Sequence, residues 1–236
     1  EHRATLSDYR GSGYDRGHMA PNADMPNKAA QFDSFSLANM VPQAPKNNQQ
    51  VWRELEEATR ALVTKQKLDV FVVTGPVFQG KKLKTIGQGV IVPSAVYKAV
   101  YMPKTGAIGA YYAPNDNSQQ VRIVSVCYLE EQLGVNLFPQ LTEEQKRNTY
   151  KLPLTATAVK ANSAIQYSHW DAESQCAEEV SSEQLKALQK NFKSGSTQSS
   201  SGSTVKTGTG IDAADQDAIV KQLVDALLQY ILQLLR

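Results

Sequence analysis

The sequence predicts an α+β fold in which a central, mainly antiparallel sheet is flanked by a few helices. Three observations predict it. Short β-branched runs recur between residues 70 and 128, separated by Pro, Gly and Asn turns. One long segment, 46–66, carries helical periodicity. The composition, 41% hydrophobic and 20% charged, is that of an ordinary globular chain rather than a disordered or fibrous one.

The elements follow in order. Residues 1–27 are rich in Gly, Asp, Asn and Pro, which favours turns and short strands over a helix. Residues 35–43 suit a short strand. Residues 46–66 read as a helix, with Asn47 or Asn48 as its cap and an apolar stripe of Val51, Leu55, Ala58 and Leu62. Val70–Thr74, closed by Gly75-Pro76, reads as a buried strand. Val90–Val92, Val96–Met102, Ile108–Tyr112 and Val121–Tyr128 read as further strands, and 142–149 as a short helix.

The tail differs in composition. Residues 194–210 are almost all Ser, Gly, Thr, Lys and Gln, a flexible linker. Beyond it Val220, Leu223, Val224, Leu227, Ile231, Leu234 and Leu235 mark an amphipathic helix, interrupted by Lys221, Asp225, Gln229 and Gln233. Such a helix needs a surface, supplied by its own core, another chain or self-association. The expected organisation is a core domain over 1–170, a helical extension over 171–193, a linker over 194–210 and a C-terminal helix over 211–236.

No run of about 18 apolar residues occurs, so a membrane span is not expected. The chain begins Glu-His-Arg and shows no signal peptide. Charge is uneven: residues 1–170 carry a net +5 and residues 171–236 a net −3. A basic front permits a nucleic-acid substrate without requiring one. Cys127 sits in an apolar run and reads as a buried thiol, while Cys176 lies in a polar stretch; a disulfide is an open alternative. A zinc site is disfavoured, because there is no Cys-x-x-Cys and the three histidines lie far apart.

Two stretches carry chemistry. In Asp15-Arg16-Gly17-His18, a carboxylate, a phosphate-binding fork and a flexible backbone precede a histidine. Alone, a histidine is more often an ordinary surface or core residue than a catalyst. In the expected helix Asn48, Trp52, Glu56 and Arg60 recur every four residues. At about 100° per residue each step drifts only about 40°, so the four fan over one side. Asn48 offers a neutral oxygen, Glu56 a carboxylate and Arg60 a second fork. The ordinary alternative is an amphipathic helix with a Glu56–Arg60 ion pair.

Together these stretches resemble the DNA/RNA non-specific endonucleases, the family of Serratia nuclease and endonuclease G with a ββα-metal active site. The resemblance rests on Asp15-Arg16-Gly17-His18-Met19-Ala20-Pro21-Asn22-Ala23, on Asn39-Met40-Val41-Pro42-Gln43 and on Asn48-x-x-x-Trp52-x-x-Leu55-Glu56. Val72-Val73-Thr74-Gly75-Pro76 and Leu133-Gly134-Val135-Asn136-Leu137-Phe138-Pro139 extend it, so that it covers about residues 3 to 150. Several linked motifs in order are far more specific than one short pattern.

The resemblance implies a ββα-metal nuclease fold and a role for each residue. His18 matches the general base that activates water. Asn48 matches the single protein ligand of a Mg2+ ion, which Mn2+ or another divalent ion could replace. Glu56 matches the residue that holds water on that ion. Asn39 matches an amide near the scissile phosphate, Arg16 and Arg60 match arginines that contact phosphate, and Asp15 supports the loop. The implied products carry 5′-phosphate ends, and the implied substrates are DNA and RNA.

Two departures stand out. Only 14 residues precede Asp15, where the family has more chain and another arginine; Arg3 and Arg10 are the candidates here. The tail after about residue 150 has no counterpart. An extracellular or periplasmic location is expected, since an indiscriminate nuclease endangers its own genome in the cytosol. The alternative reading is a weakly catalytic nucleic-acid-binding or scaffold protein on the same fold, against which the presence of His18, Asn48 and Glu56 speaks.

Overall fold

Asp15–His18 forms strand β1, and Met40–Gln43 forms strand β2. The two pair antiparallel, with Asp15 opposite Gln43 and His18 opposite Met40. Between them lie a 3-10 turn at Asn22–Asp24, helix α2 (Lys28–Asp33) and a second 3-10 turn at Leu37–Asn39. Asn27 caps α2 by accepting from the Ala30 N–H. The computed structural model describes residues 3–167, which lie within one compact unit. The expected segments 171–193, 194–210 and 211–236, together with His169 and Cys176, lie outside the described residues.

Before β1, Leu6–Tyr9 makes one helical turn, α1, where the sequence pointed away from a helix. Asp8 explains it: its carboxylate accepts from the Thr5 N–H and hydroxyl, closing a capping box that a composition rich in turn residues conceals.

The expected helix at 46–66 is present in two parts. Asn47–Trp52 is a π-helical turn that runs into α3, Arg53–Gln66. Leu55, Ala58 and Leu62 are buried, as their stripe requires. Neither Asn47 nor Asn48 caps the helix; both side chains are committed elsewhere.

The main sheet comprises β3 (Phe71–Val77), β6 (Ala95–Met102), β7 (Ala107–Pro114) and β8 (Arg122–Val124), antiparallel throughout and in the order β3-β6-β7-β8. Two short strands, β4 (Thr85–Ile86) and β5 (Val90–Ile91), form a separate ribbon. The sequence marks Val70–Thr74 as a buried strand, but β3 is an edge strand and Phe71 is exposed. The apolar run 121–128 does not continue as one strand. It breaks at Ser125, whose hydroxyl accepts from the Tyr128 N–H and starts helix α4 (Val126–Leu133). Helix α5 (Glu143–Arg147) follows, opened by a Thr142 capping box.

The sheet is covered on both faces. Trp52, Leu55 and Leu62 pack with Val96, Val100 and Tyr111 on one side. Val126 and Leu129 of α4 pack with Ala99, Ile108 and Ala110 on the other. Successive β6 side chains alternate between these clusters, as a pleated strand requires. Cys127 is buried but disulfide-bonded, which corrects the reading of a free thiol.

Candidate active site

The site is built on β1, β2 and the start of α3. Gly17 lets the hairpin close. A β-carbon there would fall 1.9 Å from Gln43 Oε1, so a glycine is needed for that close approach. The Gln43 amide donates to Asn47 Oδ1, and the Asn47 amide donates to the Pro114 carbonyl (2.9 Å). Asn115, buried at the end of β7, fixes the chain just after β2. Its Oδ1 accepts from the Ala44 N–H (2.8 Å), and its amide donates to the carbonyls of Pro42 and Pro93 (2.9 Å each). The first turn of the helix is thereby tied to both the hairpin and the main sheet.

That anchoring delivers Asn48 to Asp15. The Asn48 amide N–H donates to Asp15 Oδ2 at 2.9 Å, and Gln49 donates to the same oxygen at 2.8 Å. A carboxylate only accepts, so the nitrogen of Asn48 must face Asp15. The Asn48 carbonyl oxygen is left without a hydrogen-bond donor among the described residues.

His18 ends β1. Its ring meets Phe35 edge-on, with centroids 5.0 Å apart and planes at 86°. Its Nε2 is buried and has no hydrogen-bond partner among the described residues. Burial, and then the Arg16 guanidinium, hold the imidazole below its ordinary 6.5, so it is neutral at pH 7. Arg16 is exposed and makes no ion pair among the described residues.

Asn39 stands beside the turn that follows His18. Its side-chain oxygen accepts from the Ala20 N–H, and its amide donates to the carbonyls of Ala20 and Ser34, all at 2.9 Å. The amide is therefore spent on holding the backbone after the histidine. Arg60 does not pair with Glu56; its Nε donates to Asp24 Oδ1 at 2.6 Å. Glu56 is half-buried on α3. Burial raises its carboxyl to about 7, against the pull of Lys98.

Asp15, Arg16, Asn48 and Gln49 line a groove of about 590 Å3 together with Leu6, Tyr9, Arg10 and Tyr14. Arg10 thus comes to the site edge; Arg3 is not among its lining residues. Asp24, Asn47 and Asn115, which the sequence does not single out for the site, also hold it together. In the sequence Asn47 offers only a cap, and Asn115 looks like any residue of an Asn-rich turn.

The model of the DNA/RNA non-specific endonuclease family matches residues 1–144. The chain belongs to that family. Human mitochondrial endonuclease G is 40% identical to it over 128 residues, covering 48% of this chain and 43% of that protein. Nuclease C1 of Cunninghamella echinulata is 42% identical over 127 residues, covering 48% and 50%. A nuclease of Nostoc is 36% identical over 157 residues, covering 59% and 56%. The chain spans about half the length of these relatives. A crystal structure of an EndoG/EndoGI complex superposes with a TM-score of 0.53 at 28% identity, covering 60% of this chain and 66% of that one. The ββα-metal nuclease fold of the DNA/RNA non-specific endonucleases therefore accounts for the hairpin and helix that carry Asp15, His18 and Asn48.

Among the described residues no group of three or more His, Cys, Asp or Glu side chains converges as a metal site. The side-chain oxygen that Asn48 leaves free is a hard, neutral donor. This suits a hard divalent ion that keeps most of its waters, such as Mg2+, better than zinc.

Proposed function

We propose that this family member hydrolyses phosphodiester bonds in both DNA and RNA, with a divalent ion bound at Asn48 and His18 as general base. The observation that carries the proposal is the Asp15–Asn48 bond, which leaves the neutral oxygen of Asn48 free beside the strand that ends in His18.

Asn48 would be the direct protein ligand, and Glu56 would accept hydrogen bonds from the ion's water shell. Bound there, Mg2+ supplies charge neutralisation at the phosphate and at the departing 3′-oxygen. The remaining work belongs to the chain's own side chains. Neutral His18 takes a proton from an attacking water, an effect worth on the order of 10²–10⁴-fold. Arg16, unpaired and exposed, binds a phosphate oxygen through its fork. Arg60 does the same once a phosphate competes with Asp24 for its guanidinium. Asn39 positions the backbone after His18, and Asp15 positions Asn48. Water attack with loss of the 3′-oxygen leaves a 5′-phosphate and a 3′-hydroxyl.

Contacts to phosphate carry no sequence information, which fits a substrate range that includes both nucleic acids. The disulfide at Cys127 fits the oxidising compartment, extracellular or periplasmic, expected of such an enzyme.

The test is digestion of closed circular DNA and of RNA in Mg2+ with and without chelator. Both substrates should be cut, chelator should stop cutting, and the ends should ligate without prior phosphorylation. Cleavage that persists in chelator would remove the ion from the mechanism.

A further inference from the structure

Helix α2 and the turn after it carry an aromatic pair that packing does not explain. No residue of Lys28–Asp33 is buried. Phe32 is 80% exposed, the most exposed large apolar side chain among the described residues, and Phe35 is 56% exposed. A phenylalanine left in water gives up the stabilisation that burial would bring. One such ring is ordinary; two on one turn, beside the candidate active site, form a patch that suits a contact surface.

The two rings share one side of the chain. The Phe35 N–H donates to the Phe32 carbonyl at 3.1 Å, closing a three-residue turn in which side chains at i and i+3 eclipse. The Phe35 ring also meets the His18 ring, with centroids 5.0 Å apart and planes at 86°. The patch is therefore continuous with the residue read as the general base.

Polar bonds hold this segment in place without the rings. Asn27 Oδ1 accepts from the Ala30 N–H (2.9 Å), and the Asn22 amide donates to the Gln31 carbonyl (3.1 Å) and to the Ser34 hydroxyl (3.2 Å). The Ser34 hydroxyl donates to the Gln31 carbonyl (2.6 Å), and the Asn39 amide donates to the Ser34 carbonyl (2.9 Å). Phe32 and Phe35 stand on that support with their rings available to a ligand.

Position and charge select the occupant. A phosphate held between His18 and Asn48 has a nucleoside on either side of it. Arg16, exposed two residues before His18, and Lys28, exposed at the start of α2, offer cations to the phosphates of the same strand, against the one anion of α2, Asp33. A nucleobase is a flat π face that stacks on an aromatic ring whichever base it is. In a duplex the neighbouring bases cover both faces, so a base must leave the stack before it can reach a ring.

We propose that Phe32 and Phe35 form a stacking platform for unpaired bases next to the scissile phosphate, and that the chain thereby prefers single-stranded DNA and RNA to duplex DNA. The proposal rests on the nuclease reading for the place of that phosphate and adds to it the form of the substrate. Phe35 also borders the His18 ring, so the test is placed on Phe32.

The probes are a short thymine oligonucleotide and an abasic oligonucleotide of the same length, which keeps every phosphate and lacks every base. Binding is read by fluorescence anisotropy with divalent ions removed. The parent should bind the thymine strand about tenfold or more tighter than the abasic strand. Phe32→Ala and Phe32→Leu should each lower that ratio about 5-fold or more, and Phe32→Trp should preserve it. Leucine keeps an apolar side chain without a ring, so its loss assigns the effect to stacking. In Mg2+ the ratio of kcat/KM for single-stranded over duplex DNA should fall in the same two variants, through KM. Equal affinity of the parent for the two probes overturns the proposal, as does a ratio that Phe32→Ala leaves unmoved or that Phe32→Leu preserves. A Phe32→Ala protein that keeps the base preference but changes its mass in sedimentation gives the patch to a second copy of the chain and overturns it too. Should the parent cut nothing in Mg2+, the nuclease reading fails, while the ratio of affinities still decides the platform.

Discussion

Asn48 lends its amide N–H to Asp15 across 2.9 Å, and this one bond decides which atom of Asn48 is left to bind anything else. A side-chain amide can turn over, and its two ends are nearly equal in shape. Asp15, which only accepts, removes that ambiguity.

Asp15→Ala should therefore act through ion affinity. The concentration of Mg2+ for half-maximal cleavage should rise about 10–100-fold, the usual effect of losing a residue that orients a ligand. At saturating Mg2+ the rate should largely return. A titration of rate against Mg2+ checks this, and an unchanged midpoint would detach Asp15 from the ion.

Arg16 is exposed and makes no ion pair among the described residues, which suits the phosphate contact proposed for it. Arg16→Ala should weaken DNA and RNA binding alike and reduce the slope of log affinity against log salt by about one. Filter binding across a salt series in Ca2+ measures it. A loss confined to one base sequence would contradict a phosphate role.

Glu56 links the site to stability. Its carboxyl lies near 7 in the folded protein against an ordinary 4.5, so the folded state binds this proton more tightly than the unfolded one. The metal-free protein should lose stability as pH rises from about 4.5 to 7. Glu56→Gln should abolish that slope and be the more stable protein above pH 7, by a ceiling of about 3 kcal/mol at 1.36 kcal/mol per unit. Urea unfolding from pH 4 to 8 without divalent ions reads the difference. The same variant should be a poor enzyme.

Gly17→Ala places a methyl group against Gln43, whose amide holds Asn47. Overpacking of this kind costs about 1–3 kcal/mol. A lower urea midpoint with a lower cleavage rate is expected, because the hairpin and the helix start shift together.

The placement of the candidate residues was legible where it is local. Asp15 to His18 lie on one strand, and Glu56 and Arg60 on one α-helix, while Asn48 stands on the π-helical turn before it. What the sequence could not show comes from distant partners. Lys98 is set by the register of β6 against the helix, and Asp24, 36 positions earlier in the chain, takes Arg60 from its expected neighbour Glu56. Asn115 reaches back 71 residues to Ala44. The strand expected over 121–128 stops at Val124 for a local reason: the apolar character of the rest satisfies either element, and the Ser125 cap decides for a helix from residue 126. The exposure of Phe71 depends on β3 having a neighbour on one side only, which is a property of the whole sheet.

The most direct measurement is the rate of cleavage of supercoiled DNA at saturating Mg2+ by the parent, by His18→Ala and by Asn48→Ala, with thermal melts to confirm that all three are folded. Both variants should be slower by about 100-fold or more, in line with the loss of a general base or of the ion's ligand. A folded His18→Ala protein that cuts as fast as the parent would contradict the assignment of residue 18 as the base.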